Sequence, residues 1–271
     1  MNRRKIVVRG GGDLATGTIH RLWSAGFSVL VLEAEQPAAI RRQVAVCEAV
    51  YEKEVTVEGM KGVRIENLAE AENILAGNAV PVLIDPMGVS IPCWKPFAVV
   101  DGILAKRNLG TDRAMAPLTI GLGPGFCAGE DVDYVIETKR GHNLGRIITS
   151  GSAIPNTGMP GNIGGFTHER VIHSEAAGRI HNIRQIGDVV KKGEIIAQIH
   201  TGSQILPVRG TLDGILRGLI RDGYEVTKGF KIADIDPRIE ELQNCFTISD
   251  KARCIAGSVL ELCVRHSGLP D

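Results

Sequence analysis

Apolar residues along the first hundred positions fall into strand-like runs separated by helical spacing. Lys5 to Arg9, Phe27 to Leu32 and Ala79 to Asp85 are short β-branched runs that predict buried strands. Between the first two, Ile19, Leu22 and Trp23 recur at helical spacing, and Gly26 stands where a helix ends in a left-handed residue. Strand, helix and strand in that order predict a βαβ unit. From Ala39 to Asn78 the pattern loosens: Val55 to Val57 and Val63 to Ile65 read as short strands, and Asn67 to Leu75 as helical. Ala45 to Cys47 and Ala49 to Tyr51 fit either state. From Phe97 to Pro160, four further runs (Phe97 to Val100, Leu118 to Leu122, Tyr134 to Ile136, Arg146 to Thr149) are joined by loops rich in glycine and charge. Pro155-Asn156-Thr157-Gly158 is a turn by composition.

The last hundred residues contain an internal repeat. Gly178 to Ile199 and Gly214 to Ile235 align without gaps at an offset of 36, with 8 of 22 positions identical. This two-copy pattern resembles the barrel-sandwich hybrid of biotinyl and lipoyl carrier domains. In those carriers the modified lysine lies on the hairpin joining the halves. The matching segment here, His200 to Gln204, has no lysine, so the resemblance implies the barrel without its swinging arm. Beyond it, Ser249 can cap a helix that puts Ala252, Ile255, Ala256, Val259, Leu260 and Cys263 on one face and stops near Gly268. That helix packs on the body or on a second subunit of a homo-oligomer. The expected architecture is therefore α/β: a Rossmann-like domain over 1–170, a barrel-sandwich hybrid over 171–238 and a C-terminal helical segment over 239–271.

Three segments carry candidate chemistry. Gly10, Gly12 and Ala15, with Gly11, Asp13 and Leu14 between them, fit G-x-G-x-x-G/A after a strand, where glycines let the backbone approach a pyrophosphate and the third, small residue lets helix and strand pack closely. Glu33 stands where a ribose-binding acid is expected. That points to NAD(P) or another nucleotide, although a turn needing glycine for backbone reasons alone has the same pattern, and Asp13 would face incoming phosphates unless it caps the helix. In Gly121 to Gly129, Gly123 and Gly125 leave amides to face an anion or a flat ring, or else make a tight sheet-edge turn. Cys127 in this loop is the candidate sulfur nucleophile, against the alternative of a small residue filling space. Finally, Lys139, Arg140, His142 and Arg146 cluster around Gly141 and Gly145, which suits a phosphate or pterin-phosphate pocket as well as a solvated hairpin tip.

Charge and composition narrow the function classes. The chain has 271 residues, 44% of them hydrophobic, enough for one large or two modest cores. With 31 basic against 31 acidic residues, nothing drives non-specific nucleic-acid binding. Arg3, Arg4 and Lys5 precede only three apolar residues, too few for a secretory signal, and no apolar run nears the ~20 residues of a membrane span. A soluble cytoplasmic protein with no membrane partner is expected. The six cysteines show no zinc-site spacing and are expected as free thiols.

Taken together, V-V-R-G-G-G-D-L-A-T-G, A-K-R-N-L-G-T, G-L-G-P-G-F-C-A-G, V-I-E-T-K-R-G-H-N-L-G-R and P-N-T-G, followed by the lysine-less repeat, resemble the selenium-dependent molybdenum hydroxylase maturation proteins, the YqeB family. The resemblance spans nearly the whole chain. It implies an accessory role in delivering, inserting or maturing a molybdopterin-type cofactor, with a molybdenum hydroxylase client as partner, and it supplies no catalytic residues. Two other classes remain open on the residues alone: an NAD(P)-dependent oxidoreductase using the first glycine turn and Glu33, and a non-catalytic scaffold with a vestigial carrier domain.

Overall fold

The computed structural model describes residues 4–156, 158 and 161–268; Arg3 of the basic start and Thr157 of the expected turn lie outside them. Two compact units form, and neither is one continuous stretch of chain. The first takes the described residues of Met1–Pro37, Ala45–Thr157 and Ile248–Asp271; the second takes those of Ala38–Val44 and Gly158–Thr247.

In the first unit, β1 (Lys5–Arg9), α1 (Asp13–Ser24) and β2 (Ser28–Glu33) follow one another as the apolar pattern predicts. Next come α2 (Ala49–Glu52), β3 (Glu54–Val57), β4 (Met60–Ile65), α3 (Ala71–Ala76) and β5 (Val80–Ile84). Then follow α4 (Ile91–Trp94), β6 (Ala98–Asp101), β7 (Leu118–Leu122), β8 (Cys127–Ala128), β9 (Tyr134–Ile136), β10 (Ile147–Ile148) and β11 (Gly151–Ser152). Nine strands form one mixed sheet in the order β10-β9-β7-β6-β1-β2-β5-β4-β3, while β8 and β11 pair separately. The seven strands from β9 to β4 run parallel, with Val8 beside Val31 on one side and Val100 on the other. The outermost pairs, β10 with β9 and β3 with β4, are antiparallel.

Alternation along β1 sorts the two faces. Ile6 and Val8 point into a core shared with Ile19 and Leu22 of α1, and Val7 into a second core with Ala71 of α3 and Ile91 and Trp94 of α4. No α-helix is inserted between β6, β7 and β9. The apolar residues Leu118, Ile120, Leu122 and Ile136 would be bare on the α1 face were it not for α5 (Asp250–His266), which supplies Ile255, Val259, Leu262 and Cys263. Ser249 caps α5 by accepting from the Ala252 amide at 3.2 Å. Leu262, rather than Leu260, completes the fully buried stripe.

The second unit holds two four-stranded antiparallel sheets around one core. Its strands are β12 (Val171–His173), β13 (Gly178–Asn182), β14 (Val189–Val190), β15 (Ile195–His200), β16 (Ile205–Arg209), β17 (Gly214–Leu219), β18 (Glu225–Val226) and β19 (Lys231–Asp236). The repeat is structural: β13, β14 and β15 begin 36 residues before β17, β18 and β19. The copies interlock, since β14 pairs with β17 of the second copy and β18 with β13 of the first. Buried Asp234 accepts from Arg170 at 3.0 Å and Arg217 at 3.4 Å, so this core also encloses an Arg–Asp–Arg group.

The expected architecture is corrected on both counts. Instead of a Rossmann-like domain over 1–170, a nine-stranded mixed sheet with antiparallel edges forms, and one of its faces is completed by a helix from the far end of the chain. Instead of a self-contained barrel-sandwich hybrid over 171–238, a pair of four-stranded sheets draws Ala38, Ile40 and Cys245 into its core. Local periodicity reports which residues are buried but not which distant segment covers them. Among the described residues, no helix is long and apolar enough to cross a membrane.

Helices α1 and α5 pack tightly at Gly17, where an added Cβ would stand 2.7 Å from the Ala252 Cβ and 3.0 Å from the Ala252 carbonyl. Gly17→Ala is expected to destabilise the protein. Overpacking of about 1–3 kcal/mol outweighs a helix-propensity gain of up to ~1 kcal/mol. Urea unfolding checks this, and a raised midpoint would show that the helices separate without cost.

Candidate functional site

The glycine turn sits at the carboxyl end of β1, and its three glycines differ in what holds them. Gly10 has φ +86°, and a Cβ there would lie 2.9 Å from the Ile103 Cα. At Gly11 a Cβ would lie 3.0 Å from the Cys47 amide nitrogen, because that amide donates to the Gly11 carbonyl at 2.9 Å. Both glycines are required by packing. Gly12 is not: its φ of −65° suits any residue, and a Cβ would meet nothing within 4 Å. Here the backbone opens α1 with free space before it. Ala15 packs as the third, small residue of the motif, against Gly102, whose built Cβ would stand 2.9 Å from it. Leu14 is half-buried, and Asp13 lies in the first turn of α1, where negative charge is favourable.

Glu33 closes the turn from the end of β2. One carboxylate oxygen accepts from the Gly11 amide at 2.6 Å and the other from the Ala34 amide at 2.8 Å. The acid expected to read a ribose is thus spent as a clamp on the glycine turn. Burial raises its pKa above the ordinary value, against the pull of those two amides. Beside it, Cys47 is buried, and burial together with Glu33, Glu48 and Asp13 keeps its thiol protonated.

The other motif loops lie along the same edge, at the carboxyl ends of β6, β7 and β9. After β6, Asp101 is buried, accepting from Thr111 Oγ1 at 2.6 Å and the Ile103 amide at 3.1 Å, with Arg9 at 3.7 Å. Burial pushes its carboxyl up despite those partners. Beyond it, Leu104 and Lys106 both take positive φ (60° and 63°), backbone strain of a kind that clusters at binding sites. Lys106 and Arg107 are exposed. After β7, Gly125 (φ +114°) leaves room for the Arg107 backbone, 2.7 Å from a built Cβ, and Gly123 (φ +81°) for Thr138 Oγ1 at 2.5 Å. The Gly123 amide donates to the Ile136 carbonyl at 2.9 Å. These two glycines therefore join loops to one another. Gly10 against Ile103, Gly125 against Arg107 and Gly123 against Thr138 link four segments of the motif into one surface. It lies where open parallel sheets bind ligands, outside the strand carboxyl ends, and the order of strands reverses between β1 and β6.

The basic loop completes this edge only in part. Glu137 is buried and repeats the Glu33 arrangement, accepting from the Lys139 amide at 2.7 Å and the Ile154 amide at 2.8 Å. Arg140 does not aim its fork outward, because it holds Asp250 of α5 through bonds of 2.7 and 2.9 Å. Lys139, His142 and Arg146 are exposed. A pocket made by Arg140 and Arg146 together is thus not what forms. Cys127 is half-buried in β8, beside Ser152 of β11, with its amide donating to Asp131 at 2.8 Å. Lys251, in the first turn of α5, was not singled out by sequence; burial, and secondarily Arg140, lower its pKa, while Asp13, Glu137 and Asp250 oppose this. A cation in the first turn of a helix is the signal that could have found it. Among the described residues, no group of three or more His, Cys, Asp or Glu side chains could hold a metal ion.

The clamp can be tested by pH. In Glu33→Gln, the side-chain NH2 cannot accept, so one amide bond is lost, a deficit of about 1–3 kcal/mol. Because the folded pKa of Glu33 lies above the ordinary 4.5, ionisation costs the wild type stability as pH rises through that window. The deficit of Glu33→Gln is therefore largest below pH 4.5 and shrinks above it. Urea midpoints across this range check it; a deficit growing with pH would contradict the raised pKa, and no deficit at any pH would contradict the clamp.

No protein-family model matches the chain. Among solved structures, the chain is similar to the product-bound ectoine utilization protein EutE (DoeB) of Ruegeria pomeroyi, at 12% identity and TM-score 0.27 over 86% of this chain and 85% of that one. A succinylglutamate desuccinylase/aspartoacylase of Rhodobacter sphaeroides gives 14% and 0.29 over 86% and 85%. An aspartoacylase family protein of Mesorhizobium loti gives 11% and 0.27 over 87% and 85%. Likenesses this low carry no conclusion about fold or activity. YqeB of Escherichia coli K12, itself uncharacterized, is 48% identical over 266 residues, covering 97% of this chain and 48% of that protein. The chain spans about half the length of this curated relative, and that identity, over nearly all of its own residues, supports its assignment among the relatives of YqeB.

Proposed function

We propose that the protein is an accessory factor for selenium-dependent molybdenum hydroxylases that holds or delivers a phosphate-bearing molybdenum cofactor at the carboxyl edge of its large sheet. The cofactor is cargo, carried to a client enzyme. The observation that carries this reading is the open backbone at Gly12, the one glycine of the turn with no packing reason to be glycine, facing the edge where the motif loops converge. A pterin phosphate at this point meets the amides that open α1. Lys106, Arg107 and Lys139 supply exposed positive charge on the adjoining loops. The carboxylates of Glu33, Asp101 and Glu137 are bonded inward to backbone amides or to Thr111, so they do not face an anion unsatisfied. The same bonds weigh against NAD(P), since the ribose acid is already engaged. The kinship with YqeB supports a shared role without naming one.

The test is retention of cofactor by protein purified after co-expression with a molybdenum hydroxylase, read as pterin fluorescence after oxidation. Gly12→Val is expected to keep the circular dichroism of the wild type, with only the modest loss of melting temperature that an apolar helix cap brings, while losing at least tenfold in retention, about 1.4 kcal/mol. Cys127→Ser is expected to retain cofactor but lower client activity, because the hydroxyl keeps the volume and loses the sulfur nucleophile. No pterin on the wild type, or equal retention by Gly12→Val, overturns the proposal.

A further inference from the structure

Lys251 is a cation in a place that helix electrostatics disfavours. It is the second residue of α5, after the cap Ser249 and Asp250, where the helix dipole presents its positive end. The remedy would be a carboxylate partner, yet the adjacent Asp250 is held by both nitrogens of the Arg140 fork. Among the described residues, no hydrogen bond or ion pair reaches the Lys251 ammonium. The side chain is half-buried, its apolar stem covered while its ammonium is left without a protein partner among the described residues. A methionine would cover the same apolar surface without these penalties. Residues that violate local rules without a structural return are those expected to serve a ligand.

Its position is set from two sides. The Arg140–Asp250 pair ties the first turn of α5 to the basic loop after β9. The next residue, Ala252, packs against Gly17 of α1, one turn beyond the glycine turn. Lys251 is thereby held between the start of α1 and the basic loop, with Asp13 and Glu137 as electrostatic neighbours.

We infer that Lys251 is an anion-contacting residue of the carboxyl-edge surface, its ammonium binding the phosphate of a small phosphate ester or diphosphate. The inference rests on reading that surface as a cofactor site, and it adds a residue from the far end of the chain. Because α5 supplies the contact, occupancy also ties the C-terminal helix to the glycine turn.

The experiment uses inorganic pyrophosphate as the probe. Lysines of the whole protein are 13C-dimethylated, which keeps their charge, and the Lys251 signal is identified by its loss in Lys251→Met. Pyrophosphate is expected to shift that signal saturably. By calorimetry, Lys251→Met is expected to weaken pyrophosphate at least fivefold, Lys251→Arg to retain most of the affinity, and Lys228→Met, in the second unit, to change nothing. The melting temperature of Lys251→Met is expected to equal or exceed that of the wild type, because a misplaced charge is removed. Equal affinity in Lys251→Met, an unmoved Lys251 signal at saturation, or no pyrophosphate binding by the wild type overturns the inference. The outcomes also separate the two proposals. If Gly12→Val abolishes pyrophosphate binding and Lys251→Met does not, the surface stands without Lys251. If Lys251→Met abolishes it while the wild type retains no pterin, Lys251 stands and the cofactor reading falls.

Discussion

The first unit depends on the contact between Gly17 and Ala252, where α1 and α5 approach so closely that a Cβ at Gly17 would stand 2.7 Å from the Ala252 Cβ. The strands β6, β7 and β9 follow one another without an α-helix to cover them, so their apolar residues on the α1 face need a lid from elsewhere. Helix α5 is that lid, and burying its stripe against Leu118, Ile120 and Ile136 supplies the driving force for the approach. Because Gly17 packs against Ala252, the first turn of α5 arrives beside the first turns of α1. The same contact that completes the core therefore brings Lys251 and Asp250 to the functional edge.

Buried carboxylates shape that edge. Glu33 and Glu137 stand at the ends of β2 and β9, and each spends its two oxygens on two backbone amides. Asp85 does the same after β5 for Val89 and Ser90, and Asp101, the last residue of β6, accepts from the Ile103 amide and the Thr111 hydroxyl. Each is a charge-assisted acceptor at a strand end, where the chain turns and amides would otherwise lose their ladder partners. The buried acidic residues thus fix loop shape from within, while Lys106, Arg107 and Lys139 stand exposed on these loops alongside the exposed acids Glu35, Asp112 and Glu130.

Local signals in the sequence found much of this. The runs Lys5 to Arg9, Leu118 to Leu122 and Tyr134 to Ile136 are strands at those bounds, Ser249 is the cap of α5, and the 36-residue offset reappears as paired strands. Each rests on neighbours within a few residues or on a repeat visible in one dimension. Long-range partnership was not legible. Nothing local shows that α5 returns to the large sheet, that Ala38 and Ile40 leave it for the second core, or that β3 and β10 run antiparallel at its edges. At the site, the glycine turn is legible because its residues are contiguous, and the roles of its parts are not: Glu33 stands where a ribose-binding acid is expected and holds the Gly11 and Ala34 amides instead. The cluster around Arg140 suits a phosphate pocket or a hairpin tip by composition, and nothing local shows that Arg140 bonds Asp250, more than a hundred residues away.

The central claim is that four loops scattered over the chain form one anion-binding edge. Hydrogen–deuterium exchange of the whole protein with and without pyrophosphate tests it most directly. The account requires added protection to appear together in residues 10–13, 103–108, 122–127 and 137–141, with the strands of the second unit unchanged. Protection confined to the second unit, or to one of these loops alone, would contradict it.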